Sequence, residues 1–195
     1  MPKRIVVVVG HPDPGGGHFG HALTDAYVKG ANEAGHQLTV ISVAQLDFPL
    51  LRTKTDFDEG TVPAALRHAQ AAIGDADHLV IVYPLWLGSM PALLKGFLEQ
   101  VFRPGFAFGK PAPGRFPPKL LKGKSARLVV TMGMPAWFYR WFYRAHSVKS
   151  FERSLLKGCG VDPVRASLIG SVEAPEASAR AMWLLRMSAL GRQGI

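Results

Sequence analysis

Along the chain, short apolar runs typical of strands alternate with stretches in which apolar residues have helical spacing. Short β-branched or apolar runs predict five strands, at residues 4–9, 37–43, 79–83, 126–131 and 164–169. Stretches with helical spacing predict helices, over residues 19–34, 62–73, 91–102, 137–157 and 175–190. Strands that alternate with helices in this way are typical of an α/β protein whose strands run parallel in one sheet.

The run at residues 79–83 lacks polar alternation, which favours a sheet covered by helices on both faces. We therefore predict a doubly wound five-stranded parallel sheet in the order 2-1-3-4-5. The chain has 195 residues, 48% hydrophobic and 19% charged, which fits one domain over residues 1–195. Residues 47–60 and 104–124 are predicted to be loops. The second loop carries five prolines and four glycines and is long enough to be functional.

The net charge of +9 is unevenly distributed along the chain. Residues 1–100 hold 7 Lys/Arg and 10 Asp/Glu, residues 101–195 hold 16 and 4, and the halves therefore carry −3 and +12. A basic half favours anionic partners, whether a phosphorylated cofactor, nucleic acid or an acidic lipid surface. No apolar run approaches the length of a membrane span, and no secretory cleavage pattern is seen. We therefore expect the protein to be located in the cytoplasm. The lone cysteine, Cys159, is expected to be a small packed residue.

The loop at residues 11–21 follows the first predicted strand and is rich in glycine and histidine. Its glycines match G-x-G-x-x-G, but they begin late, and Ser42-Val43-Ala44 stand where a dinucleotide site needs an acid. A helix starting near His18 points free N–H groups and its positive dipole end at this loop. We predict a phosphate monoester there, bound by His18 and His21, with His11 either binding it or orienting the loop. Three further histidines are expected in surface or capping roles: His36, His68 and His78.

The turn at residues 84–90 follows the third predicted strand, and Pro91 suits the start of the next helix. In open α/β sheets, ligands bind outside the carboxyl ends of the strands. This turn offers the indole of Trp86, and we expect the backbone N–H groups of Gly88 and Ser89 to be free. A planar ligand that forms hydrogen bonds is therefore predicted at this turn.

Three loops at strand carboxyl ends thus carry the candidate chemistry: residues 11–21, 84–91 and 131–135. With them, the chain resembles the flavodoxin-like NAD(P)H:quinone oxidoreductase family, which includes NAD(P)H dehydrogenases (quinone) and the ancillary oxidoreductases of glutathione-gated potassium efflux systems. The resemblance spans nearly the whole chain. The motifs that carry it are Pro84-Leu85-Trp86, Pro91-Ala92-Leu93-Leu94-Lys95-Gly96-Phe97, Val101-Phe102, Gly105-Phe106-Ala107-Phe108 and Asp47-Phe48-Pro49-Leu50.

The resemblance implies a flavodoxin-like homodimer that binds FMN or FAD, takes a hydride from NADPH or NADH onto flavin N5 and reduces a quinone or similar acceptor. Tyr139 would donate to a quinone oxygen and His146, one position later than in the family, would relay the proton. Carried over by position, the flavin-binding residues would be His11, His18, Phe19, Gly20, His21, Pro84, Leu85, Trp86, Leu87, Gly88, Thr131, Met132, Gly133 and Met134.

The departures from the family are informative. Many members have a second Trp where this chain has Leu87, and a hydroxyl residue and an Asn where it has His18 and Gly20. The usual Thr-Gly-Gly loop is here Met132-Gly133-Met134-Pro135. Because Met side chains are apolar and adaptable, this edge of the pocket is expected to tolerate varied acceptors.

Six aromatic residues lie within residues 137–144, and Arg140 and Arg144 are expected on one helical face. This block could form a dimer interface, a membrane-surface patch or a nucleic-acid site; the dimer interface is favoured, with a packed core close behind. Two other functions stay open for the whole chain. One is a flavin-binding regulatory subunit of a membrane transport system, with a peripheral membrane or transporter contact. The other is a basic nucleic-acid-binding module, which no recognition motif supports, so no nucleic-acid partner is expected.

Overall fold

The computed structural model of the protein describes residues 1–110, 114–173 and 177–195. The strands of these residues are β1 Arg4–Val9, β2 Gln37–Ser42, β3 His78–Pro84, β4 Ser125–Thr131 and β5 Val164–Ile169. They pair in the order β2-β1-β3-β4-β5, and every neighbouring pair runs parallel. The predicted parallel sheet and its strand order are confirmed.

Helices cover both faces of the sheet. They are α1 Phe19–Glu33, α2 Lys54–Asp58, α3 Arg67–Asp75, α4 Ala92–Val101, α5 Ala136–Trp141, α6 His146–Ser150, α7 Lys157–Cys159 and α8 Ala177–Gln193. Shorter turns of helix also occur, two of them 3-10 turns, Val43–Gln45 and Ala64–Leu66, and one a π-helical turn, Phe151–Leu156. Within the described ranges, none of the helices is long and apolar enough to cross a membrane.

Successive residues of each strand point to opposite faces and so build two separate layers of core. On one face, Val6 and Val8 pack with side chains of α3, α4 and the segment around the π-helical turn, among them Ile73 and Phe97. On the other face, Ile5 and Val7 pack with α1 and α8; the buried side chains there include Leu23, Tyr27, Val80, Val129 and Met187. This arrangement explains why the strands are apolar on both sides.

Helices α1 and α8 touch backbone to backbone at two glycines. A Cβ atom at Gly30 would lie 2.0 Å from the carbonyl oxygen of Ser188, and one at Gly191 would lie 2.1 Å from that of Tyr27. Real Cβ atoms do not approach other atoms so closely, so both positions require glycine. The two glycines set the spacing of the helix pair.

Several predicted element boundaries need correction. Strand β2 ends one residue early because Val43 begins a 3-10 turn. The predicted loop at 47–60 contains α2, whose first N–H groups are capped by Thr53: its hydroxyl accepts a hydrogen bond from the Asp56 N–H at 3.0 Å. The helix predicted at 62–73 begins as a 3-10 turn and continues as α3. The predicted start of the last helix, Pro175, lies outside the described residues.

The prediction of one continuous helix over residues 137–157 is wrong. Helix α5 ends at Trp141, and Arg144 and Ala145 both have a left-handed backbone with φ of 51°. Such residues cannot continue a right-handed helix, so the chain turns and starts again as α6. Arg140 and Arg144 therefore do not share a helical face.

The loop predicted at residues 104–124 forms no helix in its described part; Pro111 and Pro113 lie outside that part. Phe108 forms isolated bridges with Pro104 and Lys119. Just before the loop, the buried guanidinium of Arg103 donates hydrogen bonds to the carbonyl oxygens of Gln100 and Asp56. This arginine ties the end of α4 to α2.

Candidate functional site

The three predicted loops meet at one edge of the sheet because the strands before them are neighbours and run parallel. Val9 of β1 pairs with Val82 of β3, and Pro84 pairs with Thr131 of β4. Backbone hydrogen bonds continue past the strand ends, from the Gly10 N–H to Val82 at 2.7 Å and from the Leu85 N–H to Thr131 at 2.7 Å. The loops are thereby held side by side.

Three histidines that the sequence analysis selected come together here. The rings of His11 and His18 are stacked with centroids 3.9 Å apart, and His21 lies 5.4 Å from His11 and 5.7 Å from His18. Partial burial, with the charges of His18 and His21 when protonated, lowers the pKa of His11 below 6.5. His11 Nδ1 accepts a hydrogen bond from the Asp13 N–H at 3.1 Å, so the neutral ring carries its proton on Nε2.

Asp13 is a site residue that the sequence analysis missed. Its Oδ2 lies 2.6 Å from His18 Nε2, and its Oδ1 accepts a hydrogen bond from the Gly15 N–H at 2.8 Å. The hydrogen bond to His18, with that from Gly15, lowers the pKa of the Asp13 carboxyl below 3.8. The signal in the sequence was the Asp-Pro-Gly turn, in which an aspartate typically bonds the N–H two residues on. An anion that binds His18 must therefore compete with this carboxylate.

The start of α1 fits a phosphate group. His18 is the N-cap residue, and its side chain forms no capping hydrogen bond. His21 Nδ1 is buried and has no hydrogen-bond partner among the residues that the structure describes. Gly16 and Gly17 have φ of 72° and 77°, and no atom lies within 4 Å of the Cβ position of either. Uncapped N–H groups, an unpartnered imidazole nitrogen and an open glycine loop together provide donors and space for an anion.

The turn after β3 is a tight two-residue turn. The Trp86 N–H donates to Ser89 O at 2.8 Å and the Ser89 N–H donates to Trp86 O at 2.9 Å, while Leu87 and Gly88 have φ of 46° and 78°. The expectation of a free Ser89 N–H is therefore wrong, because the turn itself uses that donor. The Trp86 side chain is 50% exposed, and its ring centroid lies 5.8 Å from that of His11.

The loop after β4 offers the candidate site more backbone atoms than side chains. The side chains of Thr131 and Met132 are buried, whereas Met134 is only partly buried against the core and is therefore the methionine with surface left to line this edge. A Cβ atom at Gly133 would lie 2.8 Å from a carboxylate oxygen of Glu173. Glu173 is thus a second acid that the sequence analysis did not associate with the site.

The other predicted binding residues differ in how far they are buried. Pro84 ends β3, Leu85 packs against the core, and Leu87 is fully exposed. Phe19 and Gly20 form the first turn of α1. The guanidinium of Arg180 from α8 lies 5.3 Å from the centre of the Phe19 ring.

Tyr139 and His146 are not brought into contact with the histidine cluster by any described hydrogen bond or ring contact. Tyr139 is 1% exposed, and its hydroxyl lies 2.8 Å from Ser147 Oγ. His146 is exposed at the start of α6. Their catalytic roles stay a prediction.

A large apolar cavity of about 1270 Å³ adjoins the turn after β3. Trp86 belongs to both features, because its ring contacts His11 and also lines the cavity. Cys159 lies in the wall, where burial raises the pKa of its thiol to about 11, so it is a packed thiol as predicted. The aromatic residues of the lining are Phe57, Trp86, Phe102, Phe108, Phe116 and Phe151. The loop that carries Phe108 and Phe116 was predicted to be functional, whereas the cavity was not predicted.

His78 lies far from the candidate site, at the amino-terminal end of β3. It is 1% exposed, its Nδ1 lies 2.8 Å from Ser125 Oγ, and burial lowers the pKa of its imidazole to about 3. The expectation of a surface or capping role for His78 is wrong, because this residue faces inward at the first position of a buried strand.

Comparison with known proteins agrees with this geometry. A family model of the flavodoxin-like fold matches residues 3–189. An uncharacterized NAD(P)H oxidoreductase from Haemophilus influenzae is 29% identical over 169 residues, which are 83% of this chain and 81% of that protein. The ribosyldihydronicotinamide dehydrogenase [quinone] of Pongo abelii is 27% identical over 70% of this chain and 66% of its own length. The potassium-efflux ancillary protein KefG of Cronobacter sakazakii is 39% identical over 75 residues, 38% of each chain.

Solved structures match almost the whole chain. Smu.1420 from Streptococcus mutans has a TM-score of 0.82 and 25% identity, covering 97% of this chain and 98% of its own. An NAD(P)H:quinone oxidoreductase from Methanothermobacter marburgensis has a TM-score of 0.82 at 23% identity, covering 99% and 97%. An FMN-dependent NADH-azoreductase from Bacillus anthracis, solved with FMN, has a TM-score of 0.75 at 13% identity and covers both chains fully. The last two likenesses show the fold.

Proposed function

Because the chain belongs to the family of the flavodoxin-like fold, we propose that it is a flavin-dependent NAD(P)H oxidoreductase that reduces quinones or similar acceptors. The observation that carries the proposal is the meeting of three histidines, the uncapped start of α1 and the indole of Trp86 at one edge of the sheet. The names of the relatives, an NAD(P)H oxidoreductase and a quinone-type dehydrogenase, support it.

The residues present fit FMN or FAD. We assign the flavin phosphate to the loop and first turn of α1, with His11, His18, Phe19, Gly20 and His21. The ring system would lie against the turn formed by Pro84, Leu85, Trp86, Leu87 and Gly88, with Thr131, Met132, Gly133 and Met134 at its other edge. A bound flavin supplies the redox chemistry, which is transfer of a hydride from NADPH or NADH and of electrons to the acceptor.

The protein's own contribution is binding and placement. A phosphate bound at the start of α1 would either replace Asp13 as the partner of His18 or share His18 with Asp13. The negative charge of the phosphate would favour protonated histidine. The half-exposed indole of Trp86 offers a flat apolar surface to a planar ring. The turn that carries Trp86 is closed by two backbone hydrogen bonds, so the backbone from which the indole projects is fixed before any ligand binds.

Tyr139 and His146 are proposed as the groups that handle the proton of the acceptor. Because the Tyr139 hydroxyl is held by Ser147, it would have to exchange that partner for the acceptor oxygen. Tyr139→Phe removes only the hydroxyl, and we expect it to slow reoxidation of the reduced protein by a quinone without changing flavin affinity. Equal reoxidation rates in the two proteins would exclude this role.

The proposal is tested by the visible spectrum of the purified protein, titrated with FMN and with FAD. We expect a bound-flavin spectrum that bleaches with NADPH or NADH and recovers with a benzoquinone. Trp86→Ala is expected to weaken flavin binding about fivefold, through the loss of one ring contact of ~1 kcal/mol. Trp141→Ala, which removes an exposed indole outside this site, is the matched control. A colourless protein that takes up neither flavin would overturn the proposal.

A regulatory role is the second candidate, because the segment shared with KefG is the one of highest identity among these relatives. In that role the chain would bind a flavin and dock on a membrane transport protein. Recovery of the protein with membranes, compared with and without added flavin, separates the two functions. Turnover of quinone without membranes supports the enzyme, and flavin-dependent recovery without turnover supports the regulator.

We also propose that two copies associate through the face that carries the apolar cavity. Leu87 and Phe116 line this cavity and are 107% and 96% exposed in the single chain, so a partner surface would remove both from water. The homodimer is implied by the family resemblance and supported by this exposed apolar lining.

A further inference from the structure

Four large aromatic side chains form an exposed patch along α5 and in the segment after it. We call Trp137, Trp141, Phe142 and Tyr143 the aromatic patch; they are 68%, 76%, 60% and 41% exposed. Single exposed apolar residues are ordinary, but neighbouring large ones mark interaction surfaces. None of the four lines the large cavity, although the ring of Tyr143 lies 6.2 Å from that of Tyr139.

Ring contacts hold part of the aromatic patch in place. The rings of Phe138 and Phe142 are stacked with centroids 5.1 Å apart and planes at 6°, and Tyr143 meets Phe142 edge-on at 5.0 Å. The left-handed residues Arg144 and Ala145 reverse the chain directly after the patch and fix its end. Because these contacts hold Phe142 and Tyr143, binding would not have to order those two rings.

The charged side chains of the segment that carries the patch are all basic, and the nearby carboxylate of Glu173 lies beside Gly133 at the start of that segment. Arg140, Arg144 and Lys149 are exposed, and no ion pair among the described residues involves any of them. Residues 132–151 contain no Asp or Glu. The neighbourhood therefore presents unpaired cations beside indole and phenol rings.

We propose that the aromatic patch docks on the surface of a membrane that contains anionic phospholipids. Tryptophan and tyrosine side chains lie at the level of the lipid headgroups, with an apolar ring body and a polar edge. Arginine and lysine beside them are attracted by the negative surface of such a membrane. Charge complementarity favours lipid over a second copy of the chain, because a twofold interface would place the same basic surface against itself.

The experiment is flotation of the purified protein with lipid vesicles. One set of vesicles is phosphatidylcholine alone, and the other contains a third phosphatidylglycerol. We expect the protein to float with the anionic vesicles at low salt and to lose most of that binding at high salt, where the surface charge is screened. A protein that stays in solution with anionic vesicles at low salt would overturn the proposal.

Two double variants test the patch itself. Arg140→Gln with Arg144→Gln is expected to weaken vesicle binding about 25-fold, about fivefold for each lost cation. Trp137→Ala with Trp141→Ala is expected to weaken it roughly tenfold or more, through lost apolar burial. The control, Leu185→Ala with Arg186→Gln on α8, removes one exposed apolar and one exposed basic side chain elsewhere and should leave binding unchanged.

Other occupants give different results. If both patch variants bind vesicles like the original protein, lipid docking at this surface is excluded. Loss of self-association, or of binding to a single-stranded oligonucleotide, with unchanged vesicle binding would assign the patch to a second copy or to nucleic acid instead. The inference does not rest on the proposed redox function, so its failure leaves the flavin spectrum and its test unaffected.

Discussion

Leu87 combines two unfavourable features for an apolar residue. It is fully exposed, and its φ of 46° places it in the left-handed region that leucine rarely adopts. Residues held in such conformations cluster at functional sites. The next residue is Gly88, so Leu87→Asn would create the Asn-Gly pair that this kind of turn prefers.

We therefore expect Leu87→Asn to raise the free energy of unfolding by about 0.5–1 kcal/mol, through relief of backbone strain. The same change would weaken flavin binding if Leu87 contacts the ring. Urea unfolding and flavin titration measure the two effects. Leu185→Asn, at an exposed helical position, should instead lower stability by several tenths of a kcal/mol. Equal stability changes at both positions would contradict the assignment of strain to Leu87.

His78 makes the stability of the protein depend on pH. Its pKa is about 3 in the folded protein and 6.5 when unfolded, so below pH 6.5 the unfolded chain binds a proton that the folded chain does not. The free energy of unfolding therefore falls as the pH falls from 6.5, by up to about 1.4 kcal/mol per pH unit from this group. The effect fades above pH 6.5, where the imidazole becomes neutral in the unfolded chain as well.

His78→Leu removes this titration. We expect the loss of stability between pH 7.5 and pH 5 to become smaller by ~2 kcal/mol in the variant, measured by urea unfolding at both pH values. The Ser125 hydroxyl loses its partner at both pH values, so that cost cancels in the difference. His68→Leu on the exposed side of α3 is the control and should keep the original pH dependence. An unchanged profile in His78→Leu would rule out His78 as the source.

Residue-level prediction from the sequence succeeded where spacing decided the contact. His18 and His21 lie three positions apart at a helix start, and His11 lies at the end of the preceding strand, so their meeting was predictable. The hydrogen bond between Asp13 and His18 and the internal bond of Ser89 were not predictable, because both depend on the path of a loop. Loop paths are set by turn geometry that residue types only partly specify.

Elements were predictable where glycine, proline or a change of period marked their ends. Strands β1 and β5 have the predicted bounds, whereas the segment at 137–157 does not, because no glycine or proline marks the break at Arg144 and Ala145. Helix α2 was missed although Thr53 and Asp56 carry a capping signal, because too few apolar positions follow it to show a period. Tertiary contacts, such as Arg103 with Asp56, complete what the local pattern leaves undetermined.

The pairing of α1 with α8 depends on its two glycines. Gly30→Ala or Gly191→Ala would place a methyl group against the partner helix backbone, and we expect each to lower the free energy of unfolding by about 1–3 kcal/mol. Gly158→Ala is the control, because its Cβ would lie 3.8 Å from Arg153 O, an ordinary contact. Thermal or urea unfolding of the three variants measures these differences in stability. Equal stabilities would show that the helices can separate without cost.

At the scale of the whole molecule, the fold followed from the sequence because a repeated strand-helix pattern allows few arrangements. The position of the site followed as well, since parallel strands bring their carboxyl ends to one edge. The large cavity could not be predicted from the sequence. Its lining comes from residues as far apart in the chain as Phe57, Phe116 and Ser154, and no pattern within one segment shows that they meet.

This open cavity leads to a prediction about assembly. If a second copy covers it, the protein should sediment at twice the mass of the chain. Phe116→Asp puts a charge on a side chain that is 96% exposed and lines the cavity, so it should leave the fold stable and shift the protein to the monomer. Leu185→Asp, 72% exposed on α8, should remain a dimer. Sedimentation equilibrium with a check of unfolding stability distinguishes the outcomes. A monomeric original protein would exclude the dimer. A Phe116→Asp variant that still pairs would place the dimer interface elsewhere.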